Sequence, residues 1–270
     1  MARYRDALPQ LSGDLFLMDA GLETDLIFNH GIDIREFAVH TLLPDPKGRE
    51  ALVMYYREFL SLAGATDAGF ILGDLTWKAH MHWAKDLGAS EADLRQANHD
   101  AIAFVSELRD EFSGNAKPIV LNTAIGPRGD AYAPEEFVAA DEAERYHSKQ
   151  LGWLAETEID MVTGLTFTQS DEAIGFVRAA RAAELPSVMS FTVETDGKLP
   201  TGQLLGEAIQ AVDNATDGAA AYFMVNCRPL RPCARRRDVD SPHPGHPVQC
   251  LAYEPRRTRQ QRGAGRRRSS

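Results

Sequence analysis

The sequence predicts an α/β chain of repeated βα units curled into a (β/α)8 barrel, stopped after about six units and followed by an irregular basic tail. Three observations lead there. Through residue 227, short apolar runs rich in Val, Ile, Phe and Met alternate with longer amphipathic stretches. Each run ends in small or polar residues on its C-terminal side, the end of a parallel strand that carries chemistry in α/β folds. The segment DAGLETD after the first run is not the GxGxxG phosphate loop that opens a doubly wound sheet, which leaves the barrel as the better reading.

The elements follow in order. Residues 15–19 (LFLMD) form the first strand, and residues 47–63 an amphipathic helix behind it. Residues 69–73 (GFILG) form the second strand. A helix over 90–112 opens on Ser90 with Asp93, an N-cap with acids in the first turn. Residues 118–123 (PIVLNT) are the third strand, and Pro134 with Glu135 and Glu136 opens a helix over 134–157. The strand 159–163 (IDMVT), the helix 170–184, the strand 187–192 (SVMSFT), the helix 202–216 and the strand 221–226 (AYFMVN) complete the series.

Composition bounds the function. With 270 residues, 44% hydrophobic and 25% charged, the chain has enough apolar material for a sizeable core, which excludes a wholly disordered, fibrous or stapled miniature class. No apolar run reaches the roughly 18 residues of a membrane span, and the opening MARYRDALPQLSGD lacks the apolar stretch of a signal peptide. A cytoplasmic protein without a membrane partner is expected. The three cysteines, Cys227, Cys233 and Cys250, are too few and too late for a disulfide framework and read as thiols or metal ligands.

The net charge of −10 averages two unlike pieces. From Arg228 onward, 12 arginines and 3 acids give +9, leaving −19 for residues 1–227. So acidic a body has no electrostatic reason to bind nucleic acid or an anionic membrane and points to a small-molecule substrate. A full barrel needs about 250 residues and eight strands. Here the sixth strand ends near residue 226, and the Arg- and Pro-rich remainder lacks apolar periodicity. The chain therefore divides into a barrel-like domain, 1–227, and a disordered tail, 228–270. The abrupt change is what out-of-frame translation of a GC-rich gene yields; the rival reading is a genuine RNA-binding tail.

At the end of the first strand stands LMDAGLETDLIFNHGID. It resembles the Asp-Gly-Gly-x-x-Thr-x-Leu motif of the homocysteine S-methyltransferase family: Asp19, Gly21 and Thr24 match, while Ala20 replaces the first glycine and Asp25 intervenes before Leu26. Further matches come in order: Thr76 and Trp77 after the second strand, AIGPRGDAY at 124–132, SFT at 190–192 and VNC at 225–227. The resemblance covers nearly everything up to Cys227. It implies a (β/α)8 barrel in methionine biosynthesis that moves a methyl group from a donor to a thiol or selenol amino acid such as homocysteine. It also implies a zinc ion held by three cysteine thiolates, which keeps the acceptor thiol deprotonated and nucleophilic. Cys227 matches the first ligand, whereas the Gly-Gly-Cys-Cys pair that supplies the other two occurs nowhere in the chain. Cys233 and Cys250 sit in no Gly-rich turn, and His243 and His246 form a His-x-x-His spacing within a Pro-rich stretch. Gly164, Leu165 and Thr166 stand where the family places Phe-Glu-Thr, so the carboxylate for the homocysteine amino group is absent there.

The resemblance makes Asp19 an anchor for a substrate ammonium group; its plainer reading is a turn cap. Thr24 belongs to the same entrance motif. Trp77 lines the pocket or simply packs. Asn122, Thr123 and the GPRGDAY loop position substrate or donor, or only make a turn. Thr192 and Glu194 point to the same rim or are solvated loop residues. Asn226 orients the loop that carries Cys227, itself a zinc ligand by resemblance and an inert buried cysteine otherwise. No residue is assigned a catalytic role, and His80, His82 and His99 read as packed or solvated rings. Two functions follow: an impaired methyltransferase of this type, or a non-enzymatic protein that binds a small molecule or RNA.

Overall fold

The computed structural model describes residues 1–114, 117–129 and 137–226, together with the backbone of 248–250. The strand β1 (Phe16–Met18) leads into α1 (Leu22–Phe28), α2 (Pro46–Ala65), β2 (Gly69–Leu72), the one-turn α3 (Ala84–Leu87) and α4 (Glu91–Phe112). Then β3 (Ile119–Leu121) and β4 (Ala124–Ile125) run in line, followed by α5 (Ala140–Ala155), β5 (Val162–Phe167), α6 (Ser170–Ala182) and β6 (Ser187–Thr192). The helix α7 (Leu205–Thr216), β7 (Ala220–Asn226) and β8 (Val248–Cys250) close the order.

Every strand pair is parallel, in a three-stranded sheet β1-β2-β3 and a five-stranded sheet β4-β5-β6-β7-β8. The two sheets meet across Asn122 and Thr123. The Leu121 carbonyl accepts from the Asp160 and Met161 amides, and the Thr123 carbonyl accepts from the Thr163 amide at 2.9 Å. Thus β3 and β4 act as a single stave, and the described residues form an incomplete barrel whose outer strands, β1 and β8, each pair on one side only.

Two apolar layers hold the barrel. Outside, the helices pack on the sheet through residues such as Tyr56, Phe70, Phe104, Phe176 and Phe223. Inside, Ile71, Val120, Met161, Val188, Tyr222 and Met224 form a second cluster, which Leu8 of the N-terminal segment joins from below. That segment is pinned by polar bonds: the Arg3 and Tyr4 amides donate to Asp160 Oδ1 at 2.6 and 2.8 Å, and Gln10 Nε2 lies 3.4 Å from the Tyr222 hydroxyl. Helices α5 and α6 approach closely because residue 175 is glycine; a Cβ there would lie 2.4 Å from the Ala140 carbonyl oxygen.

The structure departs from the sequence reading in several places. The strand expected at 159–163 begins at Val162 and runs to Phe167, because the buried Asp160 carboxylate accepts the Leu121 amide at 2.9 Å in place of a ladder carbonyl. The helix expected from Pro134 begins at Ala140; the Val138 amide is held by Gln169 Oε1 at 3.1 Å, and residues 130–136 lie outside the described residues. The seven-residue α1, with Leu22 and Leu26 buried one turn apart, was not expected. Neither was the two-residue β4, which follows the break in β3. Finally, β8 falls within the segment read as an irregular tail. Three residues are too few to show an alternating pattern in a sequence.

Candidate active site at the strand C-termini

The polar groups gather where β1, β2 and β3 end. Asp19, the residue after β1, is 1% exposed. The Tyr55 hydroxyl, from α2, lies 3.2 Å from Asp19 Oδ2 and 3.1 Å from the Ala20 carbonyl and donates into both. Among the described residues, Asp19 Oδ1 has no hydrogen-bond partner. Burial pushes this carboxyl up to about 7, although the Tyr55 bond opposes the shift. Glu23, in the first turn of α1, is half-buried and is also pushed up to about 7, by burial and by the Asp19 charge, against the pull of its backbone hydrogen bond and of Lys78. Asp74, two residues beyond β2, is raised well above the usual carboxylate range by burial and then by Asp19 and Glu23. The charges of Asp19, Glu23 and Asp74, from three elements, therefore act on one another, which disfavours joint ionisation.

Neutral groups brace the strand-end corner. The Asp74 amide donates to the Tyr56 hydroxyl at 3.2 Å, and burial drives the phenols of both Tyr55 and Tyr56 upward, so neither ionises. Gly73 holds φ +114°, and a Cβ there would lie 2.5 Å from the Asn122 carbonyl oxygen; only glycine fits this turn. Asn122 is fully buried, donating to the Gly73 carbonyl at 3.2 Å and accepting from the Thr163 hydroxyl at 2.8 Å. The Lys78 ammonium sits 3.7 Å from the Trp83 ring centroid and 5.7 Å from that of Trp77.

Trp77 donates through Nε1 to Thr166 Oγ1 at 3.1 Å. Its partner lies in an irregularity of β5, where the register with β6 shifts between Gly164 and Phe167. Thr166 holds φ +65°, which a β-branched residue seldom adopts and which stores strain. The bulge falls at Gly164, Leu165 and Thr166, the segment where the carboxylate of the Phe-Glu-Thr pattern is absent. The 124–129 loop is anchored beneath: the Arg128 amide donates to Glu172 Oε1 at 2.5 Å, and that oxygen lies 3.1 Å from Nε2 of the equally buried His147.

Farther round the rim, the Asn226 amide is fixed between two hydroxyls. It accepts from Ser190 Oγ at 2.8 Å and donates to Thr192 Oγ1 at 3.1 Å. The structure thus brings Thr192 and Asn226 together, and separately unites Asp19 with Tyr55 and Asn122 with Thr163. Thr24 is half-buried on α1, next to Glu23. Cys227, Cys233, His243 and His246 lie outside the described residues, as does the side chain of Cys250. Among the described residues no group of three His, Cys, Asp or Glu side chains is arranged to hold a metal ion.

Sequence reasoning missed Glu23, Tyr55, Tyr56, Asp74 and Lys78 as members of the corner. Only Asp74 carried a usable signal, being the first charged residue after the second strand.

The family model for homocysteine S-methyltransferase matches residues 16–237. No curated protein matches the sequence. Among solved structures, the metallated form of the homocysteine methyltransferase MmuM from Escherichia coli is similar with a TM-score of 0.63 at 16% identity, covering 79% of this chain and 74% of that one. The oxidized form gives 0.64 at 15% identity over 79% and 73%, and the apo form 0.58 at 16% over 80% and 73%. At such identity the likeness shows the fold.

Proposed function

The chain belongs to the homocysteine S-methyltransferase family, and from that premise we propose that its strand-end corner binds a thiol or selenol amino acid as methyl acceptor, with methyl transfer impaired in this chain. The observation that carries the reading is Asp19: a carboxylate 1% exposed at the end of β1, held on one oxygen by Tyr55 and, among the described residues, unpartnered on the other. An ammonium group is the natural complement, since a buried carboxylate oxygen without a donor is costly and a charged hydrogen bond relieves it. Asn122 and Trp77, fixed by Thr163 and Thr166, border the acceptor, and Asn226 sets the direction of the chain toward Cys227.

Impairment follows from the donor set. The family resemblance calls for three thiolates on zinc, the Gly-Gly-Cys-Cys pair is absent from the sequence, and the described residues offer no substitute triad. An acceptor thiol with its ordinary pKa of about 8.5 stays largely protonated at neutral pH and attacks a methyl carbon slowly. Among the described residues, the side chains bind and orient, and none is grouped to hold a metal that would activate the sulfur.

Calorimetry with L-homocysteine, zinc analysis, and a methyl-transfer assay with S-methylmethionine test this. Binding that Asp19→Asn weakens about tenfold, the loss of roughly one charged hydrogen bond, is expected, with less than one equivalent of zinc and little methionine formed. Unchanged binding in Asp19→Asn overturns the acceptor site. Stoichiometric zinc with fast transfer overturns the impairment.

A further inference from the structure

Resting on that acceptor reading, we infer that Tyr146, His147 and Glu172, packed behind the barrel, are positioning residues that clamp the two loops meeting at Trp77 and so set the wall it gives the acceptor pocket. Trp77 is held from two sides. Its carbonyl accepts the Gly126 amide at 3.0 Å, and its indole Nε1 donates to Thr166 Oγ1 at 3.1 Å. A Cβ at residue 126 would lie 2.8 Å from the Trp77 carbonyl oxygen and 2.9 Å from Nε1, so the loop after β4 presses directly on the tryptophan and only glycine permits it.

Helices α5 and α6 hold both loops. On the side of β2, Gln150 Nε2 of α5 donates to the Thr76 carbonyl at 3.1 Å. One turn earlier on the same helix face, the Tyr146 hydroxyl lies 2.5 Å from His80 Nδ1 and accepts the His82 amide at 3.0 Å. The loop is thus gripped before and after Trp77. Burial holds the His80 imidazole well below its usual range, so the ring is neutral and Nδ1 takes the single phenol proton. On the side of β4, Glu172 of α6 accepts the Arg128 amide at 2.5 Å and faces His147 Nε2 of α5 at 3.1 Å. A carboxylate only accepts, so Nε2 carries the proton. The Arg128 guanidinium joins the two grips, pairing with Glu142 and lying 5.7 Å from the Tyr146 ring centroid. His147 and Glu172 are 1% and 2% exposed, and the imidazole packs on Phe167 and Phe176 of the outer apolar layer. A pair buried there acts through the Arg128 peptide and not on the acceptor itself.

Indole N–H signals in NMR spectra of the full chain test this, since its three tryptophans give three signals that Trp77→Phe and Trp153→Phe assign. Tyr146→Phe removes one hydroxyl, and Glu172→Met removes the acceptor at nearly equal volume. Each should shift the Trp77 signal and leave that of Trp153, on the same helix as Tyr146, in place. L-homocysteine should bind severalfold more weakly to Tyr146→Phe and about tenfold more weakly to Glu172→Met, as a neutral and a charged hydrogen bond are lost. Glu172→Gln, which keeps an oxygen for the Arg128 amide, should restore both the signal and the affinity. An unmoved Trp77 signal in both variants overturns the clamp. So does a Trp153 signal that moves with it, which marks a loosened helix and not a released loop. Should Glu172→Met fail to fold, Tyr146→Phe decides alone. Homocysteine binding that depends on Asp19 but ignores Tyr146→Phe and Glu172→Met overturns the clamp and leaves the acceptor reading intact. The expected Trp77 shifts in a chain that binds no homocysteine overturn the acceptor reading and leave the clamp on the loops standing.

Discussion

A single carboxyl illustrates what burial does at the barrel mouth. Asp19 titrates near 7 because burial penalises its charge more than Tyr55 favours it. In the unfolded chain it would titrate near 3.8, so between about pH 4 and 7 the folded state keeps a proton the unfolded state has lost. The stability it contributes is full below pH 4 and drains away as pH rises through 7. Asp19→Asn removes that dependence. Relative to the unsubstituted chain, the variant should gain roughly 4 kcal/mol between pH 4 and pH 8, read from urea unfolding at both values. An equal difference at the two pH values would mean that Asp19 ionises as an ordinary surface acid.

Among elements, the α5–α6 contact is the tightest place to test packing. Gly→Ala in a helix normally stabilises by about 1 kcal/mol. At Gly175 the sign should reverse, to a loss of about 1–3 kcal/mol, since the new methyl group would lie 2.5 Å from Ala143 Cβ and force the helices apart. Gly152, exposed on α5 with nothing within 4 Å of an added methyl group, is the control expected to gain. Thermal or chemical melts of the two variants decide it, and a stabilised Gly175→Ala would show that the helices separate easily. The same scale explains what could be read in advance. The strands β2, β6 and β7 came within a residue or two of their predicted bounds because each is a run buried at every position or, in β7, at all but Ala221. The Ser90 capping box around Asp93 formed as its spacing implied. What escaped reading depends on contacts between distant segments. Asp160 displaced a ladder bond, Gln169 held Val138 out of a helix, and Tyr55 and Tyr56 looked like core aromatics on an amphipathic helix until folding set them against Asp19 and Asp74. Asp19 and Asn122 could be picked out as candidate site residues because they follow the ends of strands; Glu23 could not, because a helix turn delivers it.

For the molecule as a whole, the unclosed barrel sets a gradient of stability. Residues of β1 are all partly exposed and pair only with β2 among the described residues, whereas β2 and β6 are buried throughout and paired on both sides. Native-state hydrogen exchange should find the β1 amides opening with a free energy well below those of β2 and β6. Equal protection across the three strands would mean that a further segment covers the β1 edge.

The N-terminal segment beneath the barrel also imposes an order on synthesis. Arg3 and Tyr4 close on Asp160, and Gln10 reaches Tyr222, 212 residues later in the chain. A ribosome releases the plug first, yet its seat is complete only once β7 has left the exit tunnel. Residues made before the barrel strands are thus among the last to be placed, and until then the inner apolar layer stays uncovered on its lower side.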